Sequence, residues 1–362
     1  MAALLKDVYT QAYVTHIATS VVEHYSSFDS DGFINAVFND DWQHKELKAR
    51  TEHIAHQLHS FISLSYKDAL VVIKNIAENF TGYEGMFTPA FVELYGIDEF
   101  SDSIDALAYI TQFASSEFAV RPFIVQYPEK MRSILLDWSV DENEHVRRLA
   151  SEGSRPRLPW AMALPKFKKD PSYILPILES LKNDPSEYVR RSVANNLNDI
   201  AKDHPQVVTT IATTWLNKES SNETKKLVKH ACRSLLKQAN PEALSLFGFL
   251  PPKNIEVIDF IADKNVKLEE TLKFSCKLIH SQTKSLGKLR IEFAIDFMKK
   301  NNQQARKIFQ ISESVISKHT KTVEKSFSFK KISTRQYYCG AHAVAILVNG
   351  VQLCETEFIL EN

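Results

Sequence analysis

A short motif repeats at an interval of about forty residues, and this constrains the fold more than any other feature of the chain. Glu144-His145-Val146-Arg147-Arg148 returns as Glu187-Tyr188-Val189-Arg190-Arg191, which places Val189 43 positions after Val146. A weaker third copy, Leu227-Val228-Lys229-His230, places Val228 39 positions further on. Each copy follows a polar turn: Asp141-Glu142-Asn143, Asn183-Asp184-Pro185 and Glu219-Ser220-Ser221-Asn222. Each turn follows an apolar segment opened by proline, 128–138, 171–181 and 205–216. Proline suits a first helical turn, where its missing N–H would go unpaired anyway. Helix, polar turn, helix at this period is the pattern of a HEAT-like solenoid, in which each unit buries its apolar face against the next.

Upstream, 43–63, 66–80 and 103–113 keep one apolar face at helical spacing, and 87–96 reads as a short helix closed by Gly96. Past Pro251-Pro252 the period changes to two. Leu272, Phe274, Cys276 and Leu278 alternate with polar residues, as do Leu289, Ile291, Phe293, Ile295 and Phe297. Further strands are expected at 255–261, 308–312, 323–329, 340–348 and 351–360, the last two joined by Asn349-Gly350 as a two-residue hairpin turn. The expected architecture is an all-α HEAT-like repeat solenoid over 1–249, followed by an all-β immunoglobulin-like sandwich over 250–362.

The 362 residues carry no net charge, but the charge is unevenly placed. Residues 1–115 hold 6 Lys and Arg against 16 Asp and Glu, residues 116–240 hold 20 against 15, and residues 241–362 hold 18 against 13. A polyanion is steered to the middle and end of such a chain. No apolar run is long enough to span a membrane, and the first residues lack the pattern of an export signal. The four cysteines, Cys232, Cys276, Cys339 and Cys354, have no metal-binding spacing. We therefore expect a cytoplasmic protein with free thiols, even if Cys276 and Cys339 fall on facing strands.

Two segments stand out as candidate sites. On the helix from Glu187, the residues Val189, Val193, Leu197 and Ile200 form the buried stripe, which sets Arg191, Asn195, Asn198, Asp199 and Lys202 on the opposite face. The repeat offset matches Arg148 to Arg191 and Glu152 to Asn195. Asparagine is a poor helix former, so Asn195, Asn196 and Asn198 together in one helix argue for more than solubility. In the copy before it, Gly153, Pro156 and Pro159 stop the helix and force an extended segment carrying Arg155, Arg157 and Trp160. Guanidiniums beside an aromatic ring suit phosphates plus a base or sugar face. Lys166, in Lys166-Phe167-Lys168-Lys169, reads as a phosphate contact. The triplet His53, His56 and His59 lacks ligands to complete a metal site and reads as a surface cluster. Taken by itself, Glu117 would pair with Arg121 four residues on.

Glu152-Gly153-Ser154-Arg155-Pro156-Arg157-Leu158-Pro159-Trp160 resembles the hallmark of the AlkC-type DNA alkylation repair glycosylases, relatives of the AlkD-like HEAT-repeat glycosylases. So do the run from Ser115 to Phe123, the run from Arg190 to Asp199, and Lys202-Asp203-His204-Pro205. Leu47-Lys48-Ala49-Arg50 with His53-Ile54 is similar to that family's N-terminal region. Tyr337-Tyr338-Cys339-Gly340-Ala341-His342 is similar to the immunoglobulin-like domain that one branch appends. The resemblance implies a monofunctional glycosylase that removes 3-methyladenine and similar cationic bases from double-stranded DNA without flipping the lesion into a pocket. It also implies site residues: Glu117, Glu152 and Asp199 as the acidic members, Trp160 packed beside the damaged nucleotide, and Arg155 and Arg157 in a basic loop. With Arg148, Lys166, Arg190, Arg191, Asn195 and Lys202 these make up the expected DNA-binding set. No cofactor, metal or membrane is expected, and a monomer is.

Those residue types suit the chemistry. An N3-alkylated purine is already cationic, so its glycosidic bond is weak, and a carboxylate stabilises the oxocarbenium-like sugar or orients water. Two other readings of the same residues remain open at this point: a DNA-binding scaffold without turnover, and a protein-binding adaptor of the kind HEAT repeats often form.

Overall fold

The computed structural model of the chain describes residues 5–217, 219–332 and 335–362. They divide into two compact units. One runs up to Val208 and adds Leu216–Ala231; the other is Thr209–Trp215 with Cys232–Asn362. Helix gives way to strand between Leu246 and Ile255.

The helical repeat is built as the motif dictates. Pro128 opens the helix Pro128–Trp138, and Pro205 opens Pro205–Trp215. In the middle copy a 3-10 turn, Pro171–Tyr173, precedes the helix Leu175–Leu181. The second helices are Glu144–Gly153, Glu187–Ile200 and Asn222–Ala231. The first arginine of each complete motif ties down the turn before it. Arg147 donates to the carbonyls of Asp141 and Glu142 (2.9 and 2.8 Å). Arg190 donates to those of Asp184 and Pro185 (2.6 and 2.8 Å), the same positions one repeat later. Arg147 also grips the buried Asp184 carboxylate (2.6 and 3.1 Å), which links neighbouring turns.

Upstream helices lie at Leu47–Phe61, Tyr66–Ala77, Phe87–Tyr95 and Phe100–Ile110. Gly96 closes the third of these, but not through a left-handed conformation. A Cβ on it would lie 2.2 Å from the Tyr66 hydroxyl and 2.3 Å from that of Ser103. The glycine is required by close approach. The three histidines on the Leu47–Phe61 helix serve packing. His53 reaches the carbonyls of Ala36 and Val37, His56 meets the Tyr95 hydroxyl at 2.6 Å, and His59 stacks on the Tyr95 ring at 3.6 Å.

Among the described residues the all-β region has eight strands: β1 Ile255–Ala262, β2 Asn265–Lys267, β3 Thr271–His280, β4 Gly287–Met298, β5 Gln304–Ile316, β6 Thr320–Ser328, β7 Gly340–Val348 and β8 Val351–Glu361. One sheet has the order β1-β3-β6; the other, β2-β8-β7-β4-β5, curls into a half-barrel. Pairing is antiparallel except between β2 and β8. Leu272, Phe274, Cys276 and Leu278 pack with Ile291, Phe293, Ile295 and Phe297 in one core, as their alternation predicts. The other face of β4 is buried as well: Ala294 packs on Ala345 and Leu347, and Arg290 pairs with Glu292. Asn349 and Gly350 both have positive φ, the geometry the β7–β8 hairpin needs. β2, three residues with one buried side chain, gives too little pattern to be seen in sequence. All four cysteines are free thiols.

Candidate active site

Within the first unit, the loop after Gly153 lies against the polar side of the Glu187–Ile200 helix and closes over it. That helix therefore does not expose an open polar stripe: Asn196, Asn198 and Asp199 are buried, Asn195 is half-buried, and of the five polar-face positions Arg191 and Lys202 are exposed. Asn196 donates to the Ser151 carbonyl at 2.8 Å, and Ser192 to the Ser151 hydroxyl at 3.0 Å. Gly153 lets the end of the Glu144–Gly153 helix close on Val120, because a Cβ there would lie 2.5 Å from that side chain.

Arg121 fixes the loop. Its side chain is fully buried and donates from Nε to the Met162 carbonyl (2.7 Å) and from Nη1 to the carbonyls of Gly153 and Arg155 (2.8 and 2.9 Å). Burial, then the charge of Arg155, press its pKa down to about 10. The expected Glu117–Arg121 pair is therefore not the one that forms. Glu117 pairs with Arg148 and accepts from the Ser115 hydroxyl at 2.9 Å.

From there the charges alternate across the site. Arg148 reaches Glu152 at 3.6 Å and the Ser115 hydroxyl at 2.7 Å, its guanidinium lying 5.0 Å from the centre of the Tyr188 ring. Glu152 accepts from Arg155 at 2.7 Å, Arg155 donates to Asp199 at 2.9 Å, and Asp199 meets Lys202 at 3.0 Å. The sequence Glu117, Arg148, Glu152, Arg155, Asp199, Lys202 is thus one continuous ionic array. Burial works against the charge of both arginines. The facing carboxylates outweigh it, Glu117 and Glu152 at Arg148, Glu152 and Asp199 at Arg155, and hold both pKa values above the ordinary one.

Trp160 stands out from this loop, 67% exposed and with φ of +64°. A left-handed conformation is unfavourable for a bulky residue, and such strain gathers where a site over-determines the backbone. Its ring centre is 6.5 Å from that of Tyr83.

Other candidates lie outside the array. Arg157 makes a two-pronged pair with Asp203 (2.7 and 3.2 Å), Arg190 holds its own turn, and Arg191 pairs with Glu187 on the surface. Lys166 is exposed on the short Pro165–Lys169 helix. Asn195 is partly buried beside the array's helix. Sequence reasoning missed Ser115 as the bridge between Glu117 and Arg148, and Arg121 as the clamp. The one local signal for Arg121, its four-residue spacing from Glu117, pointed elsewhere. Among the described residues there is no cluster of three or more His, Cys, Asp or Glu side chains able to hold a metal ion, and no helix is long and apolar enough to cross a membrane.

The family model described as DNA alkylation repair enzyme matches residues 101–235, the stretch that supplies the whole array. The C-terminal Ig-like domain of the uncharacterised protein YhaZ matches residues 258–362. The chain belongs to the DNA alkylation repair glycosylase family, in the form that carries this C-terminal Ig-like domain. The uncharacterized protein YhaZ of Bacillus subtilis (strain 168) is 42% identical to it over 348 residues, 96% of each chain. The alkylpurine DNA glycosylase AlkC of Pseudomonas fluorescens, solved bound to DNA containing an abasic site analog, is 35% identical. It superposes with a TM-score of 0.94 over 99% of this chain and 100% of that one.

Proposed function

We propose that this protein is a monofunctional glycosylase that hydrolyses the N-glycosidic bond of cationic N-alkylated bases, chiefly 3-methyladenine, in double-stranded DNA. The observation that carries this reading is the ionic array together with an exposed, strained tryptophan on the loop that supplies Arg155. On this reading Lys202, the most exposed cation of the array, turns to a DNA phosphate. The five remaining groups, three carboxylates and two guanidiniums, then carry a net negative charge towards the lesion sugar. As the glycosidic electrons leave with the already cationic base, that charge stabilises the oxocarbenium-like sugar. Water adds at C1′ and gives its proton to a carboxylate. Trp160 offers a π face to the cationic nucleotide. The bond breaks with the base still stacked in the duplex, and no cofactor or lysine nucleophile takes part.

Arg148 and Arg155 keep the carboxylates apart and oriented, while Arg157, Lys166, Arg190, Arg191 and Asn195 flank them as DNA contacts. Residues 1–249 form the glycosylase part. Residues 250–362, a variant immunoglobulin sandwich with an excess of basic residues, add a second grip on DNA. The protein works as a monomer in the cytoplasm.

The test is chromatography of the free bases released from methylated duplex DNA. The reading expects 3-methyladenine as the main product. If no base is released at any enzyme concentration while the DNA is still bound, the protein is a scaffold instead.

A further inference from the structure

A pocket of about 460 Å³ opens beside Trp160 in the first unit, within the ~300–1,000 Å³ span of small-molecule sites. The helices Leu47–Phe61 and Phe87–Tyr95 and the turn at Ser115–Ala119 wall it. Leu47, Met86, Pro89, Ala90, Phe118 and Ala119 make most of its lining apolar. Tyr83 and Trp160, both exposed, stand together at its edge. Ser115 belongs both to this wall and to the ionic array, where it bonds Glu117 and Arg148, so one residue joins the two sites.

The polar groups restrict the occupant. Glu46, Glu52 and Glu93 line the pocket against a single cation, Lys48, which is already paired with Glu52 at 3.4 Å. A phosphate is disfavoured by that balance. A sugar, which needs many hydrogen bonds, is disfavoured by the apolar wall. Glu93 sits largely sheltered from solvent. Burial pushes its carboxyl pKa up, Lys48 opposes this, and Glu52 adds to it. A carboxyl held in this way can meet an N–H of a ring or an amino group whether it is ionised or protonated, accepting through an oxygen in either state. Apolar walls, aromatic edges and one sheltered carboxyl together fit a flat nitrogen heterocycle.

We propose that this pocket takes the alkylated nucleobase after its bond to deoxyribose is broken, with its rings against the apolar wall and its amino group donating to Glu93. The inference rests on the glycosylase reading above, which supplies the free base. Bond breaking with the base stacked is compatible with it, because only the severed base is free of the backbone and able to move past Trp160.

The experiment is calorimetric titration of the full chain with free 3-methyladenine, alongside base release by the same wild-type preparation. Saturable binding of one base per chain is expected, weakened about tenfold or more by Ala90→Phe, which fills the pocket, and by Glu93→Met, which keeps the length of the side chain and removes its acceptor. Should Ala90→Phe fail to fold, Glu93→Met carries the comparison, with circular dichroism confirming its fold. Base release without saturable binding, or binding that the variants leave unchanged, overturns the pocket and leaves the glycosylase reading intact. Absence of release by the wild type overturns that reading, and the product role of the pocket falls with it.

Discussion

Arg155 and Asp199 are joined by a 2.9 Å charged hydrogen bond across 44 residues of sequence, so the loop ending one repeat is pinned to the second helix of the next. The bond is buried, Asp199 being 2% exposed. Removing one partner of a buried pair strands the other charge, at a cost of roughly 3–5 kcal/mol. Truncation at this position therefore mixes folding with chemistry.

Asp199→Asn separates the two. It keeps one acceptor oxygen, for Arg155, turns its amide NH2 towards the exposed Lys202, and loses the negative charge. We expect base release to fall on the order of 10²–10³-fold, the range for removing one preorganised electrostatic group, with the helical signal retained. Asp199→Ala is expected to lower the melting temperature sharply as well. Thermal unfolding beside single-turnover release distinguishes the variants, and equal melting of the two would contradict the burial argument.

Trp160 holds its left-handed backbone without deep packing. Trp160→Gly relieves the strain and is expected to leave stability unchanged or slightly higher. Release is expected to drop about 5- to 30-fold, the equivalent of ~1–2 kcal/mol of cation–π attraction. Unchanged release would remove the tryptophan from the site.

Arg121 satisfies three loop carbonyls at once. Arg121→Met leaves them without their donor and is expected to destabilise the first unit by about 3 kcal/mol or more. Limited proteolysis should then cut between Gly153 and Met162. Resistance of that segment to cleavage would show that the loop is held by other contacts.

Much of the fold was legible because each feature left a local trace. The repeat announced its helices, and alternation from Leu272 to Leu278 announced a strand. The site was less legible. Sequence spacing places Asp199, Arg191 and Lys202 on one helical face, but cannot show that the loop after Gly153 folds back to cover part of that face. Arg155 and Arg148 read as cations looking for phosphates. In the structure they lie between carboxylates: Glu152 sits four residues from Arg148 and three from Arg155, but Glu117 and Asp199 come from 31 and 44 residues away, and no periodicity encodes those two contacts. Glu117 shows the same limit, since its nearest cation in sequence is not its partner in space.

The second unit carries a pH dependence. His342 is buried on β7, accepting the Met298 N–H at Nδ1 (3.4 Å) and donating from Nε2 to the Tyr338 carbonyl (3.0 Å), a pattern that needs a neutral ring. Burial lowers its pKa below the ordinary 6.5, against the raising effect of Tyr338. As pH falls the unfolded chain takes up the proton first, so stability present above the unfolded value is lost towards the lower folded one. Melting temperature should fall as pH drops below about 6.5, and His342→Gln should flatten that slope. An unaltered slope would assign the effect to another group.

The most direct measurement of the central claim is single-turnover release of 3-methyladenine from duplex DNA by wild type and Glu117→Gln, with DNA affinity measured in parallel. Glu117 is the outermost carboxylate of the array and the least buried of the three, and Glu117→Gln keeps its shape and an acceptor while Arg148 retains Glu152 as a counter-charge. The account predicts rapid release by the wild type and a loss on the order of 10²-fold or more in the variant, with affinity for DNA unchanged. Equal release by both proteins would contradict it, because the array would then bind DNA without acting on the lesion.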